Sequence, residues 1–361
     1  MGAGTNGGRR SGAGAPRDAL SGAPADVSTP AGVARLLREQ YDLDLTGLER
    51  FEGGWDSAAT MWTGVDAGGA RYALKITSRD VQFGLSLAGS TGLAAAGGVL
   101  QPVPTRDGAL WATAAGYLIT VSHWVDGADA VDLGPDHVDW RELGRVLRAV
   151  HDQPVPEGVR PQRSGIRRSS SSPRALIDTV DRAYRRDVAP ELTSRWDAAH
   201  PRLLHLAAVA RQLKRTRRPT TRVTAHGDPH LGNVLLDDGG RPWLIDFDEA
   251  TIAPREVDLM LVELGVMFDA PLTEKHRELF RDGYGHDVAI DRERVIRFGC
   301  VRAIEDATSS FLAALDGDPS DPAPFRMLDG ILGPHGLVTL VEKELERLPH
   351  SPTLADTKEE P

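Results

Sequence analysis

The chain has 361 residues, of which 40% are hydrophobic and 26% charged; this is ordinary for a globular protein, and the length exceeds one usual core, so two lobes or two domains are expected. Forty-two Lys and Arg against 52 Asp and Glu leave a formal charge of −10, which disfavours nucleic acid or an anionic membrane surface as the main partner and suits a cationic small ligand. Cys300 is the single cysteine, which rules out an intrachain disulfide, and no uncharged apolar run is as long as a membrane span; a soluble cytoplasmic protein, monomer or homodimer, is expected.

Residues 1–27 are rich in Gly, Ala, Ser and Pro without apolar periodicity and read as a disordered tail. Thr29-Pro30 is an N-cap followed by a first-turn proline, and Val33, Leu36, Leu37 and Tyr41 recur at helical spacing. From Leu48 to Ile76 the pattern is that of strands, with a hairpin turn at Asp66-Ala-Gly-Gly69 and a return through Tyr72-Ala-Leu-Lys-Ile76. Between two of these strands lies Gly53-Gly-Trp-Asp-Ser-Ala-Ala59. Backbone N–H groups from Gly54, Trp55, Ser57 and Ala58 can cover phosphate oxygens there, although a plain hairpin turn fits the same residues. Lys75 follows on the next strand. In a chain with only five lysines, it is a candidate point charge for a phosphate, with a solvated strand lysine as the alternative. From Val81 to Arg106 there is no acidic residue, so a partner for Lys75 must come from Asp80 or from bound nucleotide.

Leu110–Thr113 and Tyr117–Val121 read as the last strands of a first lobe spanning 28–122, and residues 123–127 as the connection to a second spanning 128–350. Trp124 in that connection can stack on a base or plug the junction; His123 precedes it. Leu143, Val146, Leu147 and Val150 share one face of a helix over 140–151. Residues 154–173 form a loop rich in Pro, Arg and Ser, and 174–216 one or two amphipathic helices. Helices are expected over 259–268, 273–284, 291–315 and 325–347, with a polar tail from 351.

The most informative stretch is His226-Gly-Asp-Pro-His-Leu-Gly-Asn233, with Asp246 thirteen positions later in Trp243-Leu-Ile-Asp-Phe-Asp248. Val234–Leu236, the turn Asp237-Asp-Gly-Gly240 and Trp243–Ile245 predict a short hairpin that would bring Asp228, Asn233 and Asp246 together. A hydroxyl attacking a γ-phosphate needs a carboxylate to orient it, and the triphosphate needs Mg²⁺ held by oxygen ligands. Asp228 suits the first task, Asn233 and Asp246 the second. Turn chemistry alone would also use Gly, Asp, Pro and Asn, but not in this joint spacing.

His-Gly-Asp-x-His-x-x-Asn followed by Ile-Asp-Phe-Asp resembles the aminoglycoside phosphotransferases and their relatives, small-molecule kinases with a protein-kinase-like fold; Ile252-Ala-Pro-Arg-Glu-Val-Asp-Leu-Met260 looks most like the spectinomycin-kinase branch. The resemblance implies an α+β bilobal fold with an antiparallel-sheet lobe and a mainly helical lobe. It implies Asp228 as catalytic base, Asn233 and Asp246 as Mg²⁺ ligands, and Lys75 on the phosphates of ATP or GTP. His226, His230 and Asp258 would support the catalytic loop, and the backbone at His123 and Trp124 would hold the adenine. Asp248, Glu249, Glu263, Asp269, Glu305 and Asp306 are candidates for an acidic pocket that attracts a cationic hydroxyl acceptor. The implied activity is antibiotic phosphorylation giving resistance. Phosphorylation of choline, homoserine, a sugar or a pathway intermediate is an alternative, as is a regulatory pseudokinase.

Overall fold

A computed structural model describes residues 25–51, 59–95, 98–161, 171–184, 189–267, 270–317 and 322–348. The proposed phosphate-covering residues Gly54, Trp55, Ser57 and Ala58, the candidate Asp269 and most of both terminal tails lie outside these residues.

The chain enters through a single turn, α1 (Ala25–Ser28), and the helix α2 (Pro30–Tyr41). Thr29 caps α2, its hydroxyl accepting from the Gly32 N–H. Five antiparallel strands follow: β1 (Thr46–Arg50), β2 (Ala59–Val65), β3 (Arg71–Thr77), β4 (Ala112–Ala114) and β5 (Tyr117–His123), in the order β1-β2-β3-β5-β4. Val33, Leu36, Leu37 and Tyr41 of α2 share a core with Trp62, Tyr72, Leu74, Ile76, Ile119 and Val121. Because strand residues alternate, filling that core with Tyr72, Leu74 and Ile76 sends Lys75 to the opposite face, level with Met61 and Thr120.

The helix between β3 and β4, α3 (Gln82–Ala95), belongs to the other core. Phe83, Leu87 and Ala88 pack in the same cluster as Val146 and Leu147. Gly84 sits so close to the turn at Phe247 that a Cβ there would stand 1.9 Å from the Phe247 carbonyl oxygen. This close approach brings the loop after Asp246 up against α3.

The second lobe begins with β6 (Gly127–Asp129), α4 (Ala130–Leu133) and α5 (Trp140–His151), then α6 (Pro173–Ala183) and α7 (Pro190–Arg215). Short strands β7 (Val223–Ala225), β8 (Val234–Asp237), β9 (Pro242–Leu244) and β10 (Thr251–Ala253) carry the loops of interest. The expected hairpin is present as β8 and β9, with Val234 opposite Leu244; β6 pairs on the other side of β8, and β10 pairs with β7. Next come α8 (Glu256–Leu264), β11 (Val266–Met267), β12 (Ala270–Pro271), α9 (Glu274–Tyr284), α10 (Arg292–Asp316), α11 (Ala323–Leu332) and α12 (Leu337–Glu346).

Two expected helices are corrected. The one read as ending at 268 stops at Leu264, because Gly265 takes a left-handed conformation, φ 88°, whose N–H closes on the Leu261 and Val262 carbonyls. The one read over 325–347 is two helices, interrupted at Gly333-Pro-His-Gly336, where proline cannot continue the ladder.

The contact at Gly84 makes a direct prediction. Gly84→Ala should lower stability by about 1–3 kcal/mol through overpacking, despite alanine's better helix propensity. A melting temperature equal to or above that of the parent protein would show that this contact yields without cost.

Candidate active site

The loop from His226 to Asn233 leaves β7 and enters β8, and its shape is set by side-chain bonds to its own backbone. The Asp258 carboxylate, fully buried in the first half of α8, accepts from the His226 N–H at 2.7 Å and from the Gly227 N–H at 2.8 Å. The oxygen that accepts from His226, Oδ2, also lies 2.9 Å from Nε2 of His151, whose Nδ1 is 2.6 Å from the Tyr284 hydroxyl. Burial pushes that phenol up to about 12, so it is a neutral partner. His226 ties the loop to the strand before Asp246. Its Nε2–H donates to the Ile245 carbonyl at 2.9 Å, leaving Nδ1 to accept from the Asp228 N–H at 3.2 Å. Gly227 has φ 89°, and a Cβ there would meet the Glu249 carbonyl oxygen at 2.2 Å. A side chain at that position would push the two loops apart.

Asn233 completes the closure. Its side-chain amide donates to the Asp228 carbonyl at 2.8 Å, and its own carbonyl accepts from the Ile245 N–H at 2.9 Å. Asp228, Asn233 and Asp246 are thereby gathered by one continuous set of bonds running through His226 and Ile245. His230 caps the turn at Leu231–Asn233, accepting from the Gly232 N–H at 3.0 Å, and its Nε2 stands 3.5 Å from an Asp228 oxygen.

Lys75 faces this loop from the first lobe. Its ammonium lies 3.0 Å from Asp246 and 2.8 Å from Asp248. Those two carboxylates, rather than Asp80, pair with it, which accounts for the missing acid in α3. Burial pulls the ammonium pKa down, but Asp246 and Asp248 together outweigh it and leave it above the ordinary lysine value. Asp246 is pushed up by burial and brought net below the usual carboxylate range by Lys75. Asp248 moves the other way, raised to about 7 by burial and by the charge of Asp246. Asp246 adopts a left-handed backbone, φ 59°, which a short polar side chain tolerates.

The acidic candidates separate once their partners are seen. Asp248 and Glu249, two of the acceptor-pocket candidates, meet cations of the first lobe: Asp248 pairs with Lys75, and Glu249 is bonded by Arg79 just beyond β3. Both side chains join the lobes. Glu263, another of these candidates, has its carboxylate buried between Arg281 at 2.7 Å and Arg292 at 2.7 Å. Glu305 is buried on α10, and Asp306 beside it pairs with Arg302 at 2.7 Å. Arg302 in turn reaches Asp228 at 2.5 Å.

His123 lies on the sheet face that carries Ile119 and Val121, with its ring 5.0 Å from that of Tyr72. It faces away from Lys75, so only its main chain can meet a ligand on the Lys75 face. Trp124 donates its backbone N–H to the Arg71 carbonyl, and its indole is covered by the Arg71 guanidinium at 4.3 Å and the edge of Phe51. Sequence reasoning did not single out His151 and Arg302. The first had a local signal, a histidine ending an amphipathic helix. The second had none, since an arginine within a helix is ordinarily a surface residue.

The donor set suits Mg²⁺. Asp246 supplies a partly exposed carboxylate and Asn233 an amide oxygen, both hard ligands. Among the described residues no group of three or more His, Cys, Asp or Glu could hold a metal ion by itself. Magnesium bound through one or two protein ligands and substrate phosphates needs no such cage.

A family model described as phosphotransferase enzyme family matches residues 47–297. A comparison with curated protein sequences found no match. Among solved structures, a spectinomycin phosphotransferase in complex with ADP and spectinomycin superposes with a TM-score of 0.73 at 20% identity, over 89% of this chain and 100% of that one. An amicoumacin kinase in complex with AMP-PNP and Ca²⁺ gives 0.58 at 14% identity, over 89% of this chain and 95% of the other. An aminoglycoside phosphotransferase from Alicyclobacillus acidocaldarius gives 0.54 at 18% identity, over 86% and 95%. At these identities the likeness establishes the fold, a kinase-like pairing of a sheet lobe with a helical lobe. None of the described helices is long and apolar enough to cross a membrane.

The raised Asp248 carboxyl gives a pH signature. The folded protein holds this proton up to about pH 7, whereas the unfolded chain releases it near 3.8. Its contribution to stability is therefore full below the unfolded value and declines as pH rises towards the folded one, by at most about 1.4 kcal/mol per pH unit. Urea unfolding in EDTA from pH 5 to 8 should show the parent protein losing stability relative to Asp248→Asn as pH rises. A pH-independent difference between the two would mean that Asp248 ionises normally.

Proposed function

The chain belongs to the phosphotransferase enzyme family, and on that premise we propose that it moves the γ-phosphoryl group of ATP to a hydroxyl of a small cationic antibiotic of the aminoglycoside or aminocyclitol type. The observation that carries this reading is the single bonded assembly of Asp228, Asn233 and Asp246 facing Lys75 across the lobes.

In this reading the Asp228 carboxylate orients the acceptor hydroxyl and takes its proton as the oxygen attacks phosphorus. Lys75 lies on the cleft face of β3, where its ammonium can neutralise phosphate oxygens. Asn233 and Asp246 would hold Mg²⁺, which when bound supplies charge neutralisation on the triphosphate. The loose transition state of phosphoryl transfer leaves little covalent work for the protein, so positioning and electrostatics dominate. That is why a loop fixed by so many internal bonds suits the task. His123 and Trp124 would offer main-chain groups to the base, and the chain around Gly54, Trp55, Ser57 and Ala58 would cover the phosphates. Asp306, joined to Asp228 through Arg302, and Glu305 next to it on α10 would be the acidic side chains of the acceptor end, in keeping with a protonated amine on the substrate.

The test is phosphorylation of a panel of aminoglycosides, aminocyclitols, choline and sugars, followed by mass spectrometry with Mg²⁺ and either ATP or GTP. A single added phosphate on an antibiotic is expected. Asp228→Asn should slow turnover by about 10²–10⁴-fold, the usual scale for general-base loss, while nucleotide still binds. Asp246→Ala should instead weaken Mg²⁺-dependent nucleotide binding. Phosphate on choline or a sugar alone would move the reading to a metabolic kinase, and full turnover in Asp228→Asn would remove the assigned base.

A further inference from the structure

The backbone of the catalytic loop is secured by His226, Asn233 and Asp258, but those bonds end at main-chain atoms. The Asp228 N–H and carbonyl are engaged, which fixes where the residue sits; how its carboxylate is turned is set by what meets its oxygens, and within the loop His230 Nε2 stands 3.5 Å from one of them. Rotation about the two side-chain torsions would swing the oxygens while leaving every one of those bonds intact. A base that must meet a hydroxyl in line with phosphorus tolerates little such freedom, since a misplacement of about 1 Å can cost about 10²-fold in rate.

Arg302 supplies a closer restraint, from outside the loop. It lies midway along α10, where an almost unbroken run from Arg294 to Thr308 is buried, so its own backbone cannot drift. Its Nη1 donates to Asp228 Oδ1 at 2.5 Å, and its Nε donates to both oxygens of Asp306, one turn further along, at 2.8 and 2.7 Å. Only 6% of the side chain is exposed. The guanidinium is planar and its donors are fixed relative to one another. Asp306 therefore sets the plane, and the plane sets the direction of the bond to Asp228. We propose that Arg302 is a positioning residue for the general base, with Asp306 as its anchor: the pair fixes the rotation of the Asp228 carboxylate, which the loop's main-chain hydrogen bonds do not set. This rests on the reading of Asp228 as the base.

A merely structural ion pair would act differently. Charge alone would hold the buried Asp228 and the partly exposed Asp306 carboxylate in the fold, and an ammonium would serve. Fixing a plane requires the fork, which lysine lacks.

The experiment measures steady-state kinetics and melting temperature for the parent enzyme, Arg302→Lys, Arg302→Met, Asp228→Asn and the double variant Asp228→Asn with Arg302→Lys, using the acceptor from the panel and, in parallel, water as the acceptor by ADP release. Arg302→Lys should melt close to the parent and keep the KM for nucleotide and acceptor within about threefold, while kcat falls by about 10–100-fold. Arg302→Met, which also removes the charge, should in addition melt lower. In the Asp228→Asn background, Arg302→Lys should change the residual rate by less than about twofold, because residues acting as a unit are not additive. Unchanged kcat in Arg302→Lys, a change confined to KM, or losses that multiply in the double variant would each overturn the assignment while leaving the phosphotransferase reading intact. Absence of nucleotide turnover by the parent enzyme, with every acceptor and with water, would overturn both.

Discussion

The arrangement depends first on the carboxylate of Asp258. Burying an unpaired charge costs several kcal/mol, so a fully buried aspartate must be met by donors. Here the donors are the N–H groups of His226 and Gly227 and a ring nitrogen of His151. Two of the three belong to the loop that carries Asp228, so neutralising the charge and shaping the loop are the same event. The loop cannot relax without exposing a stranded carboxylate in the centre of the second lobe. All nine residues of α8 are buried, and its other two carboxylates, Glu256 and Glu263, are likewise met by arginines from α9 and α10 or the turn before them. The helix is an apolar rod with three charges, each aimed at a different neighbour.

From that fixed centre the geometry passes outward in two directions. Through His226 and Ile245 it reaches Asp246, and from there Lys75 and Arg79 of the first lobe close on Asp246, Asp248 and Glu249. The close seat of Gly84 on Phe247 presses the same turn from above. A helix lying that near the turn leaves the lysine's counter-charges to the turn itself, and Asp248 takes the place that an acid on α3 would have had. Through Arg302 the geometry reaches α10, so the catalytic carboxylate is tied to the core of the helical lobe as well as to its own loop.

Much of this was legible in the chain. The spacing from His226 to Asn233 and on to Asp246, split by two apolar runs around Asp-Asp-Gly-Gly, determined the hairpin and the convergence of Asp228, Asn233 and Asp246, because local periodicity and turn chemistry are sequence properties. The alternation through Tyr72, Leu74 and Ile76 likewise determined that Lys75 would leave the first core. Tertiary structure alone decided which cation each acidic side chain meets. Asp248, Glu249 and Glu263 read alike along the chain, yet they are held by Lys75, Arg79 and a pair of arginines contributed by segments 18 to 173 positions away, while Asp306 is held by Arg302 within its own helix. Arg302, 74 positions from Asp228, could not be found from spacing, because nothing local distinguishes a helix arginine in solvent from one aimed at a buried carboxylate. The sequence specifies the charges, and packing of distant segments selects their partners.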